Sequence, residues 1–133
     1  MLAARRVAGP AAVLAAAAVA VGVVAAVDPE QAGHYPTCPF LSVTGLYCPG
    51  CGSLRAVHAL AHGDVVTAVD RNVLVVAALP ALAASWVLWA RRVAAGRPRT
   101  GPGAPAAAVW ALLGVIIAFW VLRNLPAGAW LTP

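Results

Sequence analysis

Three cysteines carry the most specific chemical signal in this sequence. Cys48 and Cys51 are the two ends of a Cys-Pro-Gly-Cys segment, and Cys38 lies ten positions before the first of them. A Cys-x-x-Cys turn can place two thiolates on one tetrahedral ion, where zinc–sulfur bonds are about 2.3 Å long. A closed structural site needs four ligands. The sequence therefore proposes Cys38 as the third ligand, His34 in the preceding loop as the fourth, and zinc as the candidate ion.

Two other chemistries fit the same cysteines. A disulfide between Cys38 and either Cys48 or Cys51 would pin the loop and leave one odd thiol. A Cys48–Cys51 pair at a helix N-terminus could instead act as a redox couple, because the helix dipole stabilises a thiolate. The strand–helix alternation that surrounds thioredoxin-like motifs is missing from this sequence. We therefore favour a non-enzymatic structural, metal-binding or partner-binding site, with a thiol–disulfide accessory role as the alternative.

The residues that follow predict a short helix and the start of another. Residues 53–62 can form nearly three turns, ended by Gly63 in the usual C-terminal position. Asp64 is the expected N-cap of the next helix. Asp64 or Asp70 could form an ion pair with Arg123, which would tie the helix ends together. Alternatively, Arg123 could extend to the membrane interface, as arginines at helix ends do.

One face of this short helix is polar. Arg55, His58 and His62 recur at i, i+3 and i+7, so they lie on the same side. That side either faces a water-filled cleft or a partner, or lies among lipid headgroups as the polar face of an interfacial helix. His58 is seven residues beyond Cys51, which is roughly 10 Å along a helix. If the helix starts at Cys51, this spacing argues against His58 as a ligand of the same ion, whereas a helix that begins several residues later would leave it open.

Composition indicates an integral membrane protein. Hydrophobic residues make up 62% of the chain and charged residues 10%, against about 45–50% and 25% in soluble domains. The net charge of +5 comes from arginines, which flank apolar segments instead of clustering as in nucleic-acid-binding proteins. We expect no nucleic-acid partner. The alanine-rich, lysine-free composition indicates a bacterial genome of high GC content.

Three apolar runs predict an all-α fold with three membrane spans. The predicted spans are residues 7–27, 73–90 and 106–122, and Pro80 predicts a kink in the second. A cleaved signal peptide is the alternative for the first run. The remaining segments are a start at 1–6, an outer loop at 28–72 that carries the cysteines and the short helix, a basic linker at 91–105 and a tail at 123–133.

The arginines predict the orientation. Six of them lie with the N-terminus and the linker, whereas three arginines and all four acidic residues lie on the side of the cysteines. Positively charged segments stay in the cytoplasm. We therefore expect a bacterial plasma-membrane protein with its N-terminus inside and its cysteine loop outside. Three short spans make a thin bundle, so self-association or a membrane-protein partner is expected in addition to lipid.

The cysteine segment also resembles a known family. The shared pattern is a Cys-Pro, a Cys-Pro-Gly-Cys-Gly, then Arg, Ala, His and Gly-Asp, represented here by Cys38-Pro39, residues 48–52, Arg55, Ala56, His58 and Gly63-Asp64. It resembles the bacterial membrane-protein family described as domain of unknown function 2752. That family often continues with Asn-Pro-Leu, where this chain reads Asn72-Val73-Leu74, and residues 123–126 are similar to its ending. The resemblance extends over roughly residues 34–126 and implies a membrane protein, with no established activity to carry over.

Overall fold

The computed structural model describes the backbone of residues 2–97 and 104–133. Within this part of the chain the protein is built from helices, without strands, which confirms the all-α prediction. Met1 and residues 98–103 of the predicted linker, including Arg99, lie outside the described residues. The helices are α1 (Leu2–Ala26), α2 (Pro39–Thr44), α3 (Ser53–Ala61), α4 (Val65–Ala94) and α5 (Ala106–Arg123), followed by a C-terminal 3₁₀ helix (Pro126–Leu131).

Three of these helices are long and apolar enough to cross a membrane. They comprise Val7–Ala26 of α1, the whole of α4 and the whole of α5. The cysteine-containing segment lies between α1 and α4, as the sequence predicts. The side of the membrane on which each segment lies stays a prediction. We call the end of the molecule that carries the cysteines the cysteine end.

Helices α1, α3 and α4 pack against one another. Ala56 and Ala59 of α3 are buried against Ala68 of α4, and such small side chains let two helix backbones approach closely. Farther from the cysteines, the Trp86 indole N–H of α4 donates to the Pro10 carbonyl oxygen of α1 at 3.3 Å. The short helix α3 is therefore integrated into the helix bundle.

Helix α4 contains one break in its backbone, at Asn72. The dihedral angles there are φ −164° and ψ 91°, which are not helical. The Asn72 side-chain oxygen accepts a hydrogen bond from the Val75 backbone N–H at 3.1 Å, so Asn72 caps the second part of α4. Val73 then occupies the first position of that part, where proline is favoured in helices. The non-helical backbone thus lies at Asn72, which the sequence did not predict, and the kink predicted at Pro80 stays a prediction.

The start of α4 is capped as predicted. Asp64 accepts from the Thr67 backbone N–H at 3.0 Å and from the Thr67 hydroxyl at 2.7 Å. These hydrogen bonds, with that from the hydroxyl the stronger influence, hold the pKa of Asp64 below its usual value. Gly63 before it has a φ of +80°, the left-handed conformation in which glycine commonly ends a helix.

Helix α5 is connected to the other helices through the C-terminal 3₁₀ helix, which contacts both α5 and α4. The chain turns back sharply at Gly128, where any Cβ would clash with the Leu122 carbonyl oxygen. Glycine is therefore required there for the 3₁₀ helix to pack on the end of α5.

Candidate metal centre

The three cysteine sulfurs lie close together. Cys48 Sγ is 3.2 Å from Cys51 Sγ and 3.6 Å from Cys38 Sγ, and all three atoms lie within 4.8 Å of one another. Sulfurs on one tetrahedral ion with 2.3 Å bonds are about 3.8 Å apart. The structure records all three as free thiols, so neither of the two predicted disulfides is formed. The arrangement is close to that of three ligands on one metal ion.

The cysteines are placed by a tight turn and by the start of a helix. Cys38 immediately precedes α2, while the Cys51 backbone N–H donates to the Cys48 carbonyl oxygen at 3.1 Å. Gly52 follows with a φ of +84°, and a Cβ at this position would clash with the Arg71 carbonyl oxygen. Only glycine satisfies both conditions, which explains the glycine after the second cysteine. We call residues 48–52 the cysteine turn.

Arg123, at the end of α5, holds the cysteine turn by donating hydrogen bonds to its backbone carbonyl oxygens. Its Nη1 donates to the carbonyl oxygens of Cys48 at 2.9 Å, Cys51 at 3.2 Å and Pro49 at 3.4 Å. Its Nη2 donates to the Leu131 carbonyl oxygen at 3.0 Å. Only 1% of Arg123 is exposed. The guanidinium group therefore satisfies several carbonyl groups of the turn that would otherwise be buried without a donor.

Asn72 holds the same turn from α4. Its Nδ2 donates to the carbonyl oxygens of Pro49 at 3.0 Å and Cys51 at 3.1 Å, and lies 3.4 Å from the Ser53 hydroxyl. Asn72 is 1% exposed. The break in α4 therefore has a structural purpose, because it turns this amide toward the cysteines while the amide oxygen caps the helix.

Asn124 fixes the backbone at Tyr47, the residue immediately before the cysteine turn. Its Oδ1 accepts from the Tyr47 N–H at 2.9 Å, and its Nδ2 donates to the Tyr47 carbonyl oxygen at 2.9 Å. Nearby, the Phe40 and Trp120 rings meet edge to face with centroids 5.9 Å apart. Residues on both sides of Cys48 are thus attached to the end of α5.

The expected ion pair of Arg123 is wrong. Neither Asp64, which caps α4, nor Asp70 pairs with it. Arg123 also does not extend to the interface, because its side chain is buried and points to backbone carbonyl groups. The ion pair found among the described residues joins Arg71 to Glu30 at 2.6 Å. The planar guanidinium group can donate to several carbonyl oxygens at once. A carboxylate partner would have occupied the same N–H donors.

The histidines lie outside the cysteine cluster. Among the residues that the structure describes, the potential ligand atoms close enough to share one ion belong to the three cysteines. His34, the predicted fourth ligand, instead has its Nδ1 2.9 Å from the Asp28 carbonyl oxygen. His58 lies in α3 and His62 caps its C-terminus, each with other partners, and Arg55 is half-buried in the first turn of that helix.

The cysteines differ in how readily they lose a proton. The backbone N–H of Leu41 in α2 lowers the pKa of the half-buried Cys38 thiol. Burial, reinforced by the neighbouring Cys48 thiol, raises the pKa of Cys51 to about 12. Without an ion, Cys51 is therefore protonated at neutral pH. Metal binding must displace that proton, since only thiolates are effective ligands.

The sequence did not predict the roles of two residues of the site. Asn72 and Asn124 were not assigned a site role. Both asparagines lie in segments that the family resemblance includes, residues 72–74 and 123–126. An amide side chain at the edge of an apolar run was the available signal. Arg123 was singled out, but with a carboxylate as its partner.

The site and fold together define a small helical protein with three candidate membrane-spanning helices and a three-cysteine cluster. Residues 38–86 match the family described as protein of unknown function (DUF2752), so this segment is similar to that family. The match confirms the resemblance for the cysteines, α3 and part of α4, and residues 87–126 lie outside it. Comparison with curated proteins and with solved structures gave no match.

Proposed function

We propose that this protein binds one thiophilic metal ion, with zinc as the leading candidate, through Cys38, Cys48 and Cys51 on the outer face of a bacterial plasma membrane. One observation carries the proposal: the three sulfurs lie within 4.8 Å of one another. Thiolate clusters of this size favour zinc and other soft ions. The bound ion would fasten the loop that precedes α3 to the helix bundle.

Three protein ligands leave a fourth position on a tetrahedral ion. Sites with an open position hold water or an external group there, whereas closed sites are purely structural. His34 remains the chain's own candidate, at the cost of its hydrogen bond to Asp28. A group donated by a partner protein would make the centre a docking point.

The charge of Arg123 supports a divalent ion. A divalent ion with three thiolates carries one net negative charge, and a monovalent ion would carry two. The guanidinium group of Arg123 donates hydrogen bonds to the carbonyl oxygens of Cys48 and Cys51, so its positive charge lies next to the cysteine turn. One buried positive charge therefore balances the zinc complex, which favours zinc over a monovalent ion such as Cu⁺.

The metal content of the purified protein tests this proposal. We expect about one equivalent of zinc or another ion per full-length chain in detergent under reducing conditions, and its loss in Cys51→Ser. Val43→Ser is the matched control, because it introduces a serine into α2, between Cys38 and Cys48, at a side chain that is 85% exposed. Wild-type protein that retains no ion after zinc addition and dialysis would overturn the proposal.

A redox role is the second candidate, because Cys48 Sγ and Cys51 Sγ are 3.2 Å apart. In that role the two thiols would become a disulfide, and a partner's disulfide would take up the two electrons and two protons. Cys48 is the expected attacking group, since Cys51 is buried with a raised pKa. Cys51→Ser should then trap a mixed disulfide with the partner. A disulfide that stays fully formed in cells, with no trapped partner, would contradict it.

A further inference from the structure

Two histidines form a pair at the C-terminal end of α3, where His62 is the capping residue, and the cysteine cluster does not use them. His58 and His62 are one helical turn apart, and their ring centroids are separated by 4.4 Å with the planes at 38°. His58 is half-buried and His62 is exposed. Neither belongs to the group of ligand atoms around the three sulfurs.

Backbone carbonyl groups fix the same tautomer in both rings. His58 Nδ1 lies 2.8 Å from the Val24 carbonyl oxygen, and His62 Nδ1 lies 2.9 Å from the His58 carbonyl oxygen. A carbonyl oxygen can only accept, so each Nδ1 carries the hydrogen and donates it. In the neutral rings, each Nε2 therefore has a free lone pair.

The Val24 contact also holds His58 in place. Val24 is in the last turn of α1, where carbonyl groups have no helical N–H to bond. His58 supplies that donor and so joins α3 to α1. A purely structural role explains only the hydrogen bonds of the two Nδ1 atoms. It gives no role to the two Nε2 atoms.

We propose that His58 and His62 form a second metal site, separate from the cysteine cluster, which binds a divalent transition-metal ion of the Cu²⁺, Ni²⁺ or Zn²⁺ class through both Nε2 atoms. Neutral imidazole suits these ions. Histidine ligands in metal sites characteristically donate their other ring N–H to a carbonyl or carboxylate, which orients the ring. Both rings here satisfy that condition, and water reaches the exposed His62 to complete the coordination.

The test uses a full-length chain in which all three cysteines are replaced by serine. We expect it to bind about one equivalent of Cu²⁺, with splitting from two nitrogens in its electron paramagnetic resonance spectrum. Loss of either ring removes chelation, so His58→Gln or His62→Gln should weaken binding roughly 100-fold. His34→Gln is the matched control, because His34 also donates Nδ1 to a carbonyl but has no histidine neighbour. Equal loss in all three variants would overturn the proposal.

A measurement on the unaltered chain covers the case in which the cysteine-free variant does not fold. Diethyl pyrocarbonate modifies exposed histidines, and mass spectrometry locates the modified residue. We expect Zn²⁺ to protect His62 in the unaltered chain but not in His58→Gln, because the proposed site needs both rings. Equal modification of His62 with and without Zn²⁺ would overturn the proposal. Both readouts follow histidines, so they can succeed or fail independently of metal binding at the cysteines.

Discussion

At the scale of single residues, Arg123 shows how one side chain can organise a turn. Its guanidinium group donates to the carbonyl oxygens of Cys48, Pro49, Cys51 and Leu131. Arginine presents up to five N–H donors in a rigid plane, whereas lysine concentrates three on one atom. The geometry therefore depends on arginine itself, in addition to its positive charge.

This difference gives a prediction for Arg123→Lys. We expect the variant to bind zinc about 10- to 100-fold more weakly, the usual effect of removing a group that orients metal ligands. The charge is kept, but the lysine nitrogen cannot reach the turn and the Leu131 carbonyl together. Competition with a zinc chelator measures the affinity. Arg92→Lys, at an exposed position in α4 far from the cysteines, is the control, and equal affinity in both variants would contradict the role assigned to Arg123.

The sequence predicted which residues form the site better than it predicted which residues they contact. The cysteines and glycines of the cysteine turn are neighbours in the chain, so their spacing alone predicts a turn with two thiols. Arg123 meets that turn across 72 to 75 residues of sequence. No local pattern encodes such a distance, and a simple charge argument selected Asp64 or Asp70 instead.

At the scale of helices, the break at Asn72 divides α4 into two parts with different tasks. The first part, which begins at the Asp64 cap, packs with α3 through Ala68. The second part begins at the Asn72 cap and continues through the apolar segment. The Asn72 side chain thus caps the second part of α4 and also fixes the cysteine turn.

Two substitutions at Asn72 should separate these tasks. Asn72→Asp keeps an oxygen acceptor for the Val75 N–H but loses the donor to Pro49 and Cys51, whereas Asn72→Ala loses both. We expect both variants to bind zinc at least about 10-fold more weakly. Hydrogen exchange at the Val75 amide should be fast only in Asn72→Ala. Wild-type zinc affinity in Asn72→Asp would show that the turn does not need this amide.

The helix ends show which local signals are reliable. Gly63 and Asp64 were correctly assigned because their conformations and hydrogen bonds involve adjacent residues. A kink was predicted at Pro80 because proline removes a helical hydrogen bond, whereas no local signal pointed to a break at Asn72. Helix α4 accommodates Pro80 without non-helical dihedral angles, and breaks where a distant turn supplies partners for Asn72.

At the scale of the whole molecule, contacts at the cysteine end join α5 to the other described helices. Helix α5 joins the others there, through Asn124, Arg123 and the C-terminal 3₁₀ helix. Hydropathy predicts three apolar helices reliably, because each requires only a long apolar run. How the ends of those helices meet is determined by a few polar contacts that hydropathy does not register.

Orientation in the membrane is the prediction that belongs to this scale. If the cysteine end faces outward, a membrane-impermeant thiol reagent should label the chain in intact cells after mild reduction and metal chelation. A cysteine-free chain carrying Ala95→Cys, beside the arginines that follow α4, should be labelled only after lysis. The reverse pattern would place the cysteines inside and contradict the orientation derived from the arginines.

The order in which the chain is made has a consequence for the contacts of Arg123. The ribosome adds Cys48 75 residues, and Cys51 72 residues, before it reaches Arg123. At about 5–20 residues per second, this interval lasts roughly 4–15 s. During that time the two cysteines of the turn exist without the side chain that shapes them. Metal loading would accordingly be a late step of biogenesis, after α5 has been inserted, and the nascent thiols would be most vulnerable to oxidation before it.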